Sequence, residues 1–251
     1  MLGELLADPS MSRLRRSLTL SYADPAVGAG LDALYADFVR PGDLVFDLGA
    51  HVGDRTGSFR RLGARVVAVE PQPLCVRALR ALYGPDDRVT VVEAACGARP
   101  GRTRLHVNSV NPTVSTASPH FVRAAHGADG WRHEVWDEEL EVPLVTVDGL
   151  IDRFGVPAFV KIDVEGLEDQ VLAGLTRPLA ALSFEITTIQ RELAVTCLSR
   201  LTGLGFARFN LALGDAMSLA PDDWRSAAEL AACLRALPDE ANSGDVYCRP
   251  A

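Results

Sequence analysis

The chain predicts an α/β protein, a parallel sheet with helices on both faces, interrupted by one long insertion. Three observations carry this expectation. Residues 44–46 and 65–69 are apolar runs that flank a glycine loop and a short helical stretch. Continuous apolar strands need cover on both faces, which parallel sheets receive from their crossover helices. The same alternation resumes at 158–162 and 182–186, after an irregular stretch (97–157) too long for one crossover helix. Helical spacing of apolar residues recurs between the runs, at 73–83 and 189–204.

The first unit organises the rest. In such sheets the ligand lies beyond the carboxyl ends of the strands, where strand order reverses. Asp47 and Glu70 stand at two such ends. The loop between them, Asp47-Leu-Gly-Ala-His-Val-Gly-Asp54, has Gly49 and Gly53 but carries His51 where a dinucleotide fingerprint has its middle glycine. An imidazole there crowds a pyrophosphate, whereas S-adenosylmethionine (SAM) has none. Asp47 can hold the methionine ammonium of SAM, and Glu70 has lone pairs for both ribose hydroxyls. The alternative is an ordinary strand-turn-helix with two solvated acids.

Composition sets the outer bounds. A chain of 251 residues suits one large α/β domain better than two small ones. The hydrophobic share of 48% and the mean hydropathy of +0.10 fit a buried core. A net charge of −8 and a pI near 5.1 argue against nucleic acid or an anionic membrane as partner. No stretch has the apolar length of a membrane helix, and the first residues lack a basic-then-apolar leader, so a cytoplasmic protein is expected. Five scattered cysteines without a C-x-x-C pair suit a reducing compartment and give no zinc site.

In chain order, residues 1–40 read as a helical segment, with Leu31, Leu34, Tyr35 and Phe38 at helical spacing before Pro41-Gly42. It is expected to cover a sheet edge, and the basic piece 11–20 to dock on the surface. Residues 41–251 form the main domain. Residues 89–92 are a third buried strand, after which Glu93, Ala94 and Ala95 reach the crevice edge, where they can flank an adenine. The insertion 97–157 holds an expected hairpin (103–107 with 141–147), a polar loop at 108–120, four of the five histidines, and Trp131 and Trp136. Long irregular loops in compact domains usually serve function, so this one is read as a cap over the acceptor. Its histidines have no metal-ligand spacing. Then follow the strand 158–162 ending in Asp163-Val-Glu165, a helix 167–175, the strand 182–186 with Glu185, a helix 189–204, strands 206–211 and 245–248, and a helix 222–237 between them. That makes seven core strands, with Asp47, Glu70, Asp163 and Glu185 on one rim.

The segments 45–73, 160–175 (VKIDVEGLEDQVLAGL), 183–186 (SFEI) and 244–248 (GDVYC) resemble the FkbM-type SAM-dependent methyltransferases, in matching order along nearly the whole chain from Leu34. The resemblance implies the class I methyltransferase (Rossmann-like) fold, a seven-stranded, mostly parallel sheet whose last strand is antiparallel. It implies SAM around Asp47, Gly49, Gly53 and Glu70, and O-methylation of hydroxyls on sugars and natural products. His51 stands where many members carry asparagine.

Methyl transfer to an alcohol gains from a base at the oxygen, and Asp163 and Glu165 are the expected catalytic pair. Two residues apart on an extended chain, they point to one side, where they can orient and deprotonate a hydroxylated acceptor or jointly hold a divalent cation. Lys161 is read as the partner of a nearby acid. Thr113 to Thr116 offer hydroxyls to the acceptor, and Trp131 or Trp136 can stack on a sugar. An N-methyltransferase, a nucleotide-dependent oxidoreductase and a SAM-binding module without chemistry are the competing readings.

Overall fold

The computed structural model describes residues 2–214, 216–219 and 224–251. The chain begins with helices α1 (Leu2–Ala7), α2 (Arg15–Tyr22) and α3 (Pro25–Tyr35). Asp24 starts α3 by accepting from the Ala26 amide, and Pro25 fits the first turn because its missing N–H would go unpaired there. The first alternating stretch is β1 (Leu44–Leu48), α4 (Asp54–Arg61), β2 (Arg65–Val69), α5 (Pro73–Tyr83) and β3 (Val89–Val92). A side excursion follows with β4 (Ala95–Cys96), β5 (Gly101–Val107), α6 (Pro119–Ala125) and β6 (Glu138–Val145). The alternation returns with α7 (Val147–Phe154), β7 (Phe159–Ile162), α8 (Glu168–Ala173), β8 (Leu182–Thr187), α9 (Arg191–Gly203) and β9 (Phe206–Leu213). It closes with α10 (Ala227–Ala236) and β10 (Ser243–Pro250).

Seven strands form one sheet in the order β3-β2-β1-β7-β8-β10-β9. β1, β2, β3, β7 and β8 pair in parallel, and β10 runs antiparallel to both of its neighbours, β8 and β9. Strand order reverses between β1 and β7, which opens a crevice at their carboxyl ends. Alternation along β1 feeds both faces: Leu44, Phe46 and Leu48 join one apolar cluster, while Val45 joins Phe59, Val66 and Phe159 in the other.

The excursion builds a second sheet, β4-β6-β5, with Thr103 opposite Val142 in its antiparallel pair. The expected hairpin is therefore real but longer, and its second strand ends at Val145 rather than 147.

Other expectations need correction. The N-terminal segment lies on a sheet face, not an edge: Leu31, Leu34 and Tyr35 of α3 pack with Val45, Phe159 and Tyr247. The basic piece docks through Met11, Leu14 and Leu18 onto Cys75 and Ala78 of α5. The helix expected at 167–175 is confined to α8. The one expected from Asp222 starts at Ala227, because Ser226 and Glu229 form a reciprocal cap; Asp222 lies outside the described residues. Among the described residues no helix is long and apolar enough to cross a membrane.

Candidate active site

The loop after β1 is shaped by backbone crowding. Gly49 has φ +83, and a side-chain carbon there would overlap the Asp163 carbonyl oxygen, because the loop crosses the end of β7. His51 also sits in the left-handed region, at φ +48, which explains a position where asparagine is at home. Its amide donates to Glu70 Oε2 at 2.9 Å, and the Gln72 amide donates to Glu70 Oε1 at 2.8 Å. Each oxygen of Glu70 is thus fixed by one backbone donor and keeps lone-pair capacity for a ligand. Asp47 is held by Thr56, whose hydroxyl donates to Oδ2 at 2.5 Å. Burial pushes Asp47 up to about 6 and Glu70 up to about 7. It pushes His51 down to about 4, so the imidazole is neutral, and its Nε2 has no partner among the described residues.

A second group of acids gathers at the ends of β7, β8 and β10. Lys161, only 1% exposed, places its ammonium 3.1 Å from Asp163 Oδ2 and 2.6 Å from Asp245 Oδ1. It is therefore paired, as expected. Glu165 is not on an extended strand. β7 stops at Ile162, and Glu165 turns at φ +55, followed by Gly166 at +89. Glu168 fastens this turn by accepting from the Val164 and Gly166 amides, and the Thr116 hydroxyl donates to the Glu165 carbonyl at 2.6 Å. The turn still brings Asp163 and Glu165 together with Glu185, with one carboxylate oxygen of each within 4.8 Å of the others. Burial would raise Asp163, but the Lys161 and Arg55 charges hold it below the usual carboxylate range. Burial, reinforced by the negative Asp163, pushes Glu165 and Glu185 well above theirs.

Both groups line one cavity of about 660 Å³, a size suited to a cofactor with part of an acceptor. It is walled by Asp47, Gly49, His51, Glu70 and Ala94 on one side and by Asp163, Glu165, Glu185 and Asp245 on the other. Ser17, Leu20, Ser21, Leu31 and Tyr35 of the N-terminal helices roof it, with Thr113 and Ser115 of the excursion.

Two expected cofactor residues stand elsewhere. Gly53 precedes α4 at φ +86, where a side chain would press on Leu79 and Tyr83, so it serves helix packing. Glu93 turns outward to an ion pair with Arg80 at 3.1 Å and does not line the cavity. Nor do the two tryptophans. Trp131 packs edge-on against Phe121 and donates to Asn242 Oδ1, and Trp136 donates to the Val114 carbonyl, so both brace the excursion instead of meeting a sugar. The excursion histidines also stand apart: His106 faces Glu139 and His120 meets Gln190.

Arg55 and Asp245, not singled out in the sequence, and Tyr35, read there only as an apolar helix position, also line the cavity. A Lys161 on a buried strand was the one signal for Asp245, since such an ammonium needs acids on both sides.

Strand order, the single reversed strand and a crevice rimmed by acids define a Rossmann-like α/β fold of the class I methyltransferase type. The family model described as the methyltransferase FkbM domain matches residues 47–201, and the chain belongs to that family. It is similar to 31-O-demethyl-FK506 methyltransferase FkbM of Streptomyces tacrolimicus, 31% identical over 161 residues, which cover 55% of this chain and 61% of that protein. The chain thus spans about three fifths of the curated relative it matches. Solved structures overlay more loosely. A precorrin-6y C5,15-methyltransferase from Geobacter metallireducens gives TM-score 0.47 at 11% identity, covering 90% of this chain and 88% of that one. A SAM-dependent O-methyltransferase from Thermotoga maritima gives 0.45 at 13%, covering 95% and 71%.

Proposed function

We propose that this protein is a SAM-dependent O-methyltransferase that methylates a hydroxyl of a small molecule such as a sugar or natural product. The observation that carries the reading is Glu70. Its carboxylate stands on the cavity wall with both oxygens aimed by backbone amides, as a ribose diol requires. Bound there, SAM supplies an electrophilic methyl on a sulfonium. The neutral His51 ring and the missing middle glycine suit a ligand without pyrophosphate. Asp47, opposite Ala68 at the end of β1, is read as the partner of the methionine ammonium. Gly49 lets the loop pass the end of β7, and Ala94 gives the adenine a small neighbour. The helical cover 1–40, the main unit 41–251 and the excursion 97–157 divide the work: the main unit holds the cofactor and the other two close over the acceptor.

Positioning supplies much of the acceleration in a displacement on so reactive a carbon. A base at the hydroxyl adds roughly 10²–10⁴-fold. Asp163, kept ionised by Lys161, orients the hydroxyl. Glu165 is the stronger base once its proton is lost, because its burial favours taking one back. The name of the Streptomyces relative favours oxygen over nitrogen as acceptor. The free state of all five cysteines accords with a cytoplasmic setting.

A divalent cation on Asp163, Glu165 and Glu185 is the second reading, favoured by the closeness of their oxygens. Radiolabelled SAM with a panel of neutral polyols tests the first. Label in an ether is the expected product; label in an amine, or SAM binding without transfer to any acceptor, overturns it. A chelator that abolishes turnover, with magnesium restoring it, would select the metal reading.

A further inference from the structure

The amino-acid end of SAM brings a carboxylate as well as an ammonium, and Asp47 can meet only the ammonium. Both groups sit on one carbon, so the carboxylate comes to lie beside Asp47. Thr56, whose hydroxyl holds Asp47 at 2.5 Å, follows Arg55 directly in the chain, and Arg55 lines the cavity with Asp47. Among the described lining residues the cationic side chains are Lys161 and Arg55. The Lys161 ammonium is taken by Asp163 at 3.1 Å and Asp245 at 2.6 Å. Arg55 is only partly engaged: Nη1 meets Asp54 at 2.6 Å, while Nε is buried without a partner among the described residues. Nε and Nη2 make the side edge of the planar guanidinium, an edge that matches the two oxygens of a carboxylate.

Tyr35 adds a separate observation. Its ring is fully buried against Phe59 of α4, with centroids 4.6 Å apart. Arg55 lies one turn before Phe59 on the same helix face, so α3 sets Tyr35 beside Arg55. Tyr35 lines the cavity, and its hydroxyl has no partner among the described residues. It lies within electrostatic reach of Arg55 and Asp47. Buried polar atoms are seldom left unpaired, and here two donors on packed helices share the lack.

We propose that Arg55, through Nε, and Tyr35, through its hydroxyl, form a carboxylate subsite for the amino-acid end of the cofactor, beside the ammonium at Asp47. The inference rests on the SAM reading and deepens it: the pair selects an adenosyl amino acid over an adenosyl amine.

Calorimetry with SAM, decarboxylated SAM and 5′-methylthioadenosine tests this. The unaltered protein is expected to bind SAM about tenfold or more tighter than decarboxylated SAM, near the value of one charge-assisted hydrogen bond. The acidic rim works the other way, because decarboxylated SAM carries one more positive charge. In Arg55→Gln the preference should shrink about tenfold, and in Tyr35→Phe, which keeps the ring, about three- to tenfold. Methylthioadenosine has neither carboxylate nor ammonium and should bind all three proteins alike, which shows that the variants fold. If Arg55→Gln loses methylthioadenosine too, Tyr35→Phe decides in its place. Equal binding of SAM and decarboxylated SAM by the unaltered protein overturns the proposal. So does a preference that survives undiminished in the folded variants, which would leave the pair to an anion on the acceptor. Failure of the unaltered protein to bind SAM and methylthioadenosine at all would instead sink the SAM reading.

Discussion

The cavity has two walls made in different ways. The strand-end wall is fixed by sheet register and backbone amides: Glu70 by the His51 and Gln72 N–H groups, Glu168 by those of Val164 and Gly166. The roofing helices pack on the core through Leu14, Leu18, Leu31 and Tyr35, but their seam with the excursion and the wall is closed by side chains reaching between distant segments. Ser17 meets Thr113 at 3.3 Å, Ser21 meets Asp54 at 3.5 Å, and Arg13 pairs with Glu138 at 2.9 Å across the surface. Exposed pairs of that kind contribute about 0–1 kcal/mol each, so this seam is the softer part. The contrast teaches where cofactor chemistry and acceptor choice are separable: the wall cannot change without the fold, and the seam can.

Trp131→Ala tests the contrast most severely, because Trp131 belongs to the roof yet is buried like core. Loss of its contact with Phe121 should cost about 3–5 kcal/mol. Thermal unfolding would report this, with SAM affinity and acceptor turnover falling together; loss of acceptor use alone would return Trp131 to the binding surface. Gly49→Ala should cost about 3 kcal/mol in chemical denaturation, since the new carbon collides with the end of β7 at a positive φ. Glu70→Gln, which keeps the shape but removes the charge, should weaken SAM about 100-fold, the size of one or two charge-assisted hydrogen bonds.

Titration sharpens the same point. Burial lifts Glu70 from its usual 4.5 to about 7, so the empty folded protein keeps a proton that the unfolded chain has released. Its stability from this group therefore falls as pH rises from about 4.5 to about 7. SAM affinity moves the opposite way, rising through pH 7 as Glu70 becomes a full acceptor. Melting curves and SAM titrations across this window should cross in direction, and Glu70→Gln should flatten the rise in SAM affinity near pH 7 and remove its own share of the stability loss, leaving those of Asp47 and Glu168. Thr113→Ala belongs to the small end: acceptor KM should rise about two- to fivefold, near the value of a single neutral hydrogen bond, with SAM affinity unchanged.

The sheet was legible because its strands are apolar runs with acids at their ends; all seven lie where the pattern of residues 44–46, 65–69, 89–92, 158–162, 182–186, 206–211 and 245–248 puts them. Asp47, Glu70, Asp163 and Glu185 converge because parallel strands present their carboxyl ends on one edge, a rule that spacing alone can apply. The direction of Glu93 was not legible. It follows β3 immediately, and the chain turns there into β4, which leaves its side chain beside Arg80. Asp163 and Glu165 were expected on one side through an extended chain, and they meet through a left-handed turn that only Glu168 and Thr116 reveal. For long-range partners such as Lys161 and Asp245, 84 positions apart, a lysine on a buried strand signals that an acid is near but not which one.

One titration tests the central claim most directly: calorimetry of the protein and of Glu70→Gln against SAM, S-adenosylhomocysteine and NAD. The account predicts that the unaltered protein binds both adenosyl compounds one to one, that the variant binds them about 100-fold more weakly, and that NAD gives no heat. Binding of NAD alone, or adenosyl binding that is indifferent to Glu70, would contradict it.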